Sequence, residues 1–179
     1  MTTQAESLAE RPDDHARGPR DATIVIVEYG DYACPHTRRA HLIVTSLLAS
    51  FGPHDQPRFV FRHFPLRELH PDAELLSELV EAASTQGKFW EMHDRLMSHR
   101  AALGRDDLAA DAAVVGLDLA SLNALVGTPA LKSRVEADVR SGRSNGVHST
   151  PSFFFNGVLH DGHYDAPTLR ARLEDARRR

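Results

Sequence analysis

At 179 residues, 41% hydrophobic and 26% charged, the chain is long enough to bury one substantial core and has the make-up of a single globular domain. Its net charge of −4 argues against general nucleic-acid binding, and no apolar run approaches the ~20 residues of a membrane span. Cys34 is the one cysteine, so a disulfide within the chain is excluded and an intermolecular one is not.

Residues 1–20 are polar and lack the apolar middle of a secretory signal. They read as a disordered lead to a domain over 21–179, with a cytoplasmic address. Residues 23–29 are continuous and β-branched, as in a buried strand. The tetrapeptide Cys34-Pro35-His36-Thr37 comes next, followed by a helical run over 38–50. A second strand is expected over 59–64. The helix between makes a strand–helix–strand crossover, right-handed with parallel strands. Leu76, Leu79, Val80 and Ala83 have helical spacing over 71–86, opened by Pro71 and Asp72 and closed by Gly87. Phe89, Met92, Leu96 and Met97 mark another amphipathic helix. Further helices are predicted at 107–115, 118–126 and 129–143, with Thr128 as a capping hydroxyl before Pro129. Strands at 152–156 and 158–161 flank Asn156-Gly157, a strong hairpin signal. Asp165 caps a last helix over 166–177, and the terminal arginines read as a frayed end.

The junction at Cys34 carries the chemistry. Pro35 suits the first turn of a helix, where its missing N–H has no partner to lose. Cys34 then falls near the N-cap. The N–H groups of His36 and Thr37 are expected to point at its sulfur, and the helix dipole favours negative charge there. Cysteines so placed titrate at roughly 3.5–7.5 rather than about 8.5. His36 would add a cation or a hydrogen bond, and the Thr37 hydroxyl would donate to the thiolate. The competing reading is a small buried core residue.

Further segments extend the pattern. Residues 14–22 and 27–35 lead into Phe61-Arg62-His63-Phe64-Pro65-Leu66. Gln86-Gly87-Lys88-Phe89-Trp90-Glu91-Met92-His93-Asp94 follows, and residues 146–157 run from Gly146 through Thr150-Pro151 to Gly157. In order and spacing the chain resembles the DsbA-like branch of the thioredoxin superfamily, in particular soluble DsbA-like domains, some of which are fused to sodium/proton antiporters. The resemblance implies an α/β, thioredoxin-like fold with an inserted α-helical subdomain at about 68–144. It implies that Cys34 is the nucleophile, that Pro151 is the cis-proline of the loop facing it, and that Glu28 is a buried acid that moves protons for the thiol. Pro35, Thr150 and Pro151 would contact the substrate, with the Thr150 backbone pairing with an extended peptide or glutathione. Thr37 departs from the family, because a second cysteine normally stands there.

Each assignment has an alternative. From the residues alone Glu28 reads as an exposed strand-end carboxylate, and the alternative for Pro151 is a trans proline. His148 either lines the cleft or is a polar loop residue without a task. The pairs His36 and His41, His93 and His99, and His160 and His163 lack a strong zinc spacing, so the eleven histidines read as scattered over the surface and no metal is expected. The leading expectation is a monothiol thiol–disulfide oxidoreductase acting on protein or peptide thiols and disulfides. It needs no tightly bound cofactor, and glutathione or a partner thiol releases the mixed disulfide. The alternatives are a non-catalytic peptide-binding module and a glutathione-dependent transferase or isomerase.

Overall fold

The computed structural model describes residues 8–52 and 55–178. The described elements are β1 (His15–Arg17), β2 (Val25–Gly30), α1 (Pro35–Ala49), β3 (Arg58–His63), α2 (Ala73–Ser84), α3 (Phe89–Ser98), α4 (Arg105–Val115), α5 (Leu119–Leu125), α6 (Pro129–Ser144), β4 (Ser152–Phe155), β5 (Val158–Leu159) and α7 (Ala166–Arg178). The strands form one sheet in the order β1-β3-β2-β4-β5. Only β2 and β3 are parallel, as their helical crossover requires. Five helices intervene between β3 and β4.

Alternation along the strands divides the core in two. Ile26, Phe59, Phe61, Phe153 and Phe155 face α1, α3 and α7, joining Val44, Leu47, Met92, Leu96, Leu169 and Leu173. Val27, Tyr29, Val60, Phe64 and Phe154 face the other way, toward Val139 of α6, Val147 and Leu8. The β4–β5 hairpin turns through Asn156 and Gly157, both at positive φ (48° and 79°), as the Asn-Gly pair predicts. Asp118 caps α5 by accepting from the Ser121 N–H, and Asp165 accepts from the Thr168 N–H at the start of α7. Thr128 does not cap α6. Pro129 stands at N1, but the Thr128 hydroxyl is buried without a partner among the described residues.

The lead expected over 1–20 needs correction. Residues 1–7 lie outside the described residues, but from Leu8 onward the chain belongs to the folded body. Leu8 is buried, and β1 pairs antiparallel with β3, His15 opposite Phe61. Arg62, fully buried, makes a two-point pair with Asp14 (Nε–Oδ1 2.9 Å, Nη2–Oδ2 2.7 Å). Arg58 does the same with Glu10, and Arg11 pairs with Asp138 of α6. Ion pairs and edge backbone bonds hold this segment, and neither leaves a hydrophobic period to read.

Candidate active site

Strand β2 ends at Gly30, and the chain turns through Asp31, Tyr32 and Ala33 to Cys34, the N-cap of α1, with Pro35 at N1. Asp31 builds the turn. Its backbone carbonyl accepts from the Cys34 N–H (3.0 Å), and its carboxylate accepts from the N–H groups of Ala33 (2.8 Å) and Leu66 (3.0 Å) and pairs with His70 Nδ1 (2.8 Å). An aspartate that bonds the amide two residues on is a turn-former, and this was the signal available for Asp31. Arg38 braces the same turn from within α1. Its guanidinium donates to the carbonyls of Tyr32 (2.8 Å) and Ala33 (3.4 Å), and across to Ala101 (2.8 Å) and His99 (3.3 Å). Burial lowers the pKa of Arg38, against the opposing pull of Asp31 and Cys34. Pattern reasoning passed over Arg38, because a helix-surface arginine has no motif of its own.

Cys34 is 4% exposed. Its Sγ lies 3.5 Å from the carbonyl oxygen of Thr150, to which the thiol donates. The peptide bond between Thr150 and Pro151 is cis, and the Sγ–O contact sets the loop before β4 against the helix start. Thr150 is buried and its hydroxyl has no partner among the described residues. Pro151 is half-buried and Pro35 is exposed. Beside the turn runs a groove lined by Ala33, Leu69, His70, Pro71, Leu76 and Leu103.

Three expectations about the thiol's surroundings change. No side-chain capping bond joins the sulfur to the amides of His36 or Thr37, because Sγ is directed at Thr150 instead. The Thr37 hydroxyl accepts from the Asp31 N–H (3.3 Å), so it serves the turn, and the residue is fully buried. His36 is exposed and pairs through Nδ1 with the Tyr164 hydroxyl (2.7 Å), linking α1 to the segment before α7.

Glu28 points into the α1–α3 side of the sheet, between Phe61 on β3 and Phe153 on β4 in the strand register. It is 1% exposed, and Oε1 has no hydrogen-bond partner among the described residues. Burial pushes its pKa up to about 8, only partly offset by the charge of Arg17. The exposed-carboxylate alternative is therefore excluded, and the side chain is largely protonated at neutral pH.

The histidines are not all at the surface. His41, His63 and His93 are buried. His99 bonds Asp111 (2.6 Å), His160 bonds the backbone of His163, and His148 is exposed. Helix packing instead brings His41 of α1 against His93 of α3, with ring centroids 5.1 Å apart. His15 and His63 both bond the same carboxylate oxygen of Glu81 (3.0 and 2.9 Å). Burial alone would raise the Glu81 pKa, but those two bonds outweigh it and hold the carboxylate far below its usual range. Burial lowers His41 to about 4 and His93 well below its ordinary value, so both rings are neutral.

A family model described as Thioredoxin matches residues 10–175. The chain belongs to the thioredoxin family. Within it, the solved neighbours are DsbA-like thiol–disulfide oxidoreductases, and the chain shares their thioredoxin-like fold. A thioredoxin-like oxidoreductase from Silicibacter pomeroyi superposes with a TM-score of 0.85 at 26% identity, covering 97% of this chain and 98% of that one. Alpha-DsbA1 of Wolbachia pipientis shares the fold at a TM-score of 0.83 and 18% identity, covering 98% and 96%. A Na(+)/H(+) antiporter NhaA 1 of Salinispora arenicola is 40% identical over 163 residues, 91% of this chain. This thioredoxin-family chain spans about a quarter of the length of the curated relatives it matches, 24% in that case. No helix among the described residues is long and apolar enough to cross a membrane.

Proposed function

We propose that the chain is a monothiol thiol–disulfide oxidoreductase with Cys34 as nucleophile. The Cys34 thiolate attacks one sulfur of a bound disulfide. A bond forms from Sγ to that sulfur as the old S–S bond breaks, and the other sulfur leaves as a thiolate. The thiol proton passes to the ionised fraction of Glu28, whose pKa of about 8 keeps both forms available near neutrality, and from there to the departing thiolate. Thr37 cannot complete the exchange, so glutathione or a partner thiol attacks the mixed disulfide and frees Cys34. We place this in the cytoplasm, where the glutathione pool supplies that thiol. No bound cofactor takes part. Substrates are protein or peptide thiols and disulfides, held along Thr150 and Pro151 beside Pro35.

One observation carries the reading: Sγ of the one cysteine lies 3.5 Å from the Thr150 carbonyl, in the loop of the cis Thr150–Pro151 bond. The test is intact mass spectrometry after incubation with oxidised glutathione. A single glutathione adduct is expected, removable by reduced glutathione and missing in Cys34→Ser. A protein that stays unmodified under excess oxidised glutathione would overturn the reading. The slight exposure of Cys34 favours a second reading, a peptide-binding module in which the sulfur has no task. On that reading Cys34→Ala binds a thiol-bearing peptide as well as the parent does, and no mixed disulfide forms.

A further inference from the structure

Beneath α1, where it crosses α3, a cluster remains that the thiol chemistry does not use. One nitrogen from each of His41 and His93 and a carboxylate oxygen of Asp94 lie within 4.8 Å of one another. His41 comes from α1, and His93 and Asp94 from α3. Nδ1 of His93 is engaged by the Tyr32 hydroxyl at 2.9 Å, and its Nε2 is fully buried with no partner among the described residues. A buried imidazole nitrogen left without a partner is costly and calls for an occupant.

We propose that His41, His93 and Asp94 form a binding site for a divalent transition-metal ion of the zinc, cobalt or nickel type. Two imidazoles and one carboxylate suit these borderline ions rather than calcium or magnesium. His41 Nε2 stands 3.6 Å from Asp94 Oδ1. That is close to the ~3.4 Å between ligand atoms of a tetrahedral ion with bonds of about 2.1 Å. Tyr32 supplies the second layer. In the tautomer that binds metal, His93 Nδ1–H donates to the Tyr32 oxygen, which fixes the ring and leaves the Nε2 lone pair for the ion. The Asp94 side chain is 46% exposed and gives the ion its way in, with water completing the shell. Arg17 opposes the site. Its Nη1 lies 3.1 Å from both Asp94 oxygens, so its charge repels the ion and its bonds compete for the carboxylate. The site is therefore weaker than a structural zinc site of the same ligands would be, and its strength answers to Arg17. Occupancy would tie the helix that begins at Cys34 to the helical insertion.

The experiment is a Co2+ titration of untagged protein followed by visible absorption, with Cys34→Ser as the parent so that the thiol is no ligand. A band saturating at one equivalent is expected. His93→Gln should abolish it, Asp94→Asn should weaken binding by about tenfold or more, and Tyr32→Phe by about tenfold. Arg17→Met should tighten binding, which a chance surface site would not do. Because His93 is buried, circular dichroism must show that its variant folds. If it does not fold, the half-exposed Asp94 and Arg17 carry the test. The proposal fails if no band appears at tenfold excess Co2+, or if the band is unchanged in both Asp94→Asn and Arg17→Met.

Discussion

Cys34 and Thr150, 116 positions apart, meet where the thiol donates to the carbonyl across 3.5 Å. This contact joins the start of α1 to the loop before β4. The Thr150 N–H makes no hydrogen bond among the described residues. On the proposed function, a disulfide substrate approaching along that loop would meet a free amide and the sulfur together.

Thr37→Cys should convert the site to a dithiol. The position is one turn into α1, three residues after Cys34, and its hydroxyl serves only the Asp31 N–H. Losing that bond costs about 1 kcal/mol. After mild oxidation, alkylation and mass spectrometry should find no free thiol in the variant and one in the parent. Two free thiols would show that the first turn does not permit the bond.

Glu28→Gln should stabilise the protein, increasingly so with pH. The folded pKa of about 8 lies above the ordinary 4.5, so the folded state binds the proton more tightly than the unfolded. Wild-type stability therefore falls as pH rises through the window from 4.5 to about 8, by an amount on the order of a few kcal/mol at 1.36 kcal/mol per pKa unit. Urea unfolding at pH 5 and pH 9 should show little gain for the variant at the first and a gain of a few kcal/mol at the second. A gain that does not depend on pH would contradict a buried, protonated Glu28.

Asp14→Asn should cost about 3–5 kcal/mol, because it leaves the guanidinium of Arg62 buried without its counter-charge. Burial pushes the Asp14 pKa up, but the bonds from Arg62 and Arg11 outweigh it and the net shift is downward. The pair thus contributes stability above the ordinary carboxylate pKa of 3.8, lost as pH falls below it. Chemical denaturation at pH 7 and pH 3 should show the variant's deficit shrinking in acid. Deleting residues 1–14 should be destabilising too, which a disordered lead would not be.

Gly142→Ala should destabilise although Gly142 lies inside α6, where the change ordinarily adds about 1 kcal/mol. A Cβ there would stand 2.7 Å from two ring atoms of Phe64 and 3.1 Å from Tyr29 Cδ1. Both rings are buried and cannot swing clear, so overpacking of about 1–3 kcal/mol decides the sign. A lowered thermal midpoint is the expected reading, and a raised one would mean the α6 interface is looser than its contacts indicate.

What was legible in the sequence was local. The β-branched run into β2, the helical spacing of Phe89, Met92, Leu96 and Met97, the Asn156-Gly157 turn and the proline after Cys34 each act through near neighbours. Their periods and backbone preferences are written in consecutive residues. Cys34, Thr37 and Glu28 were visible as residue types at a strand-to-helix junction. Strand β1 was not, since three residues with one alanine carry no period. Its place rests on Arg62 and Arg58 reaching back to Asp14 and Glu10.

The direction of the thiol and the group it faces come from the packing of distant segments. Local capping geometry aimed Sγ at its own helix amides, whereas the loop at Thr150, arriving from the far end of the chain, offers the carbonyl it bonds. The same holds for Glu28, raised in pKa by phenylalanines from two other strands, and for His41 and His93, which meet because α1 crosses α3. Burial and distant partners are sums over the whole packing, and no short window of sequence contains them.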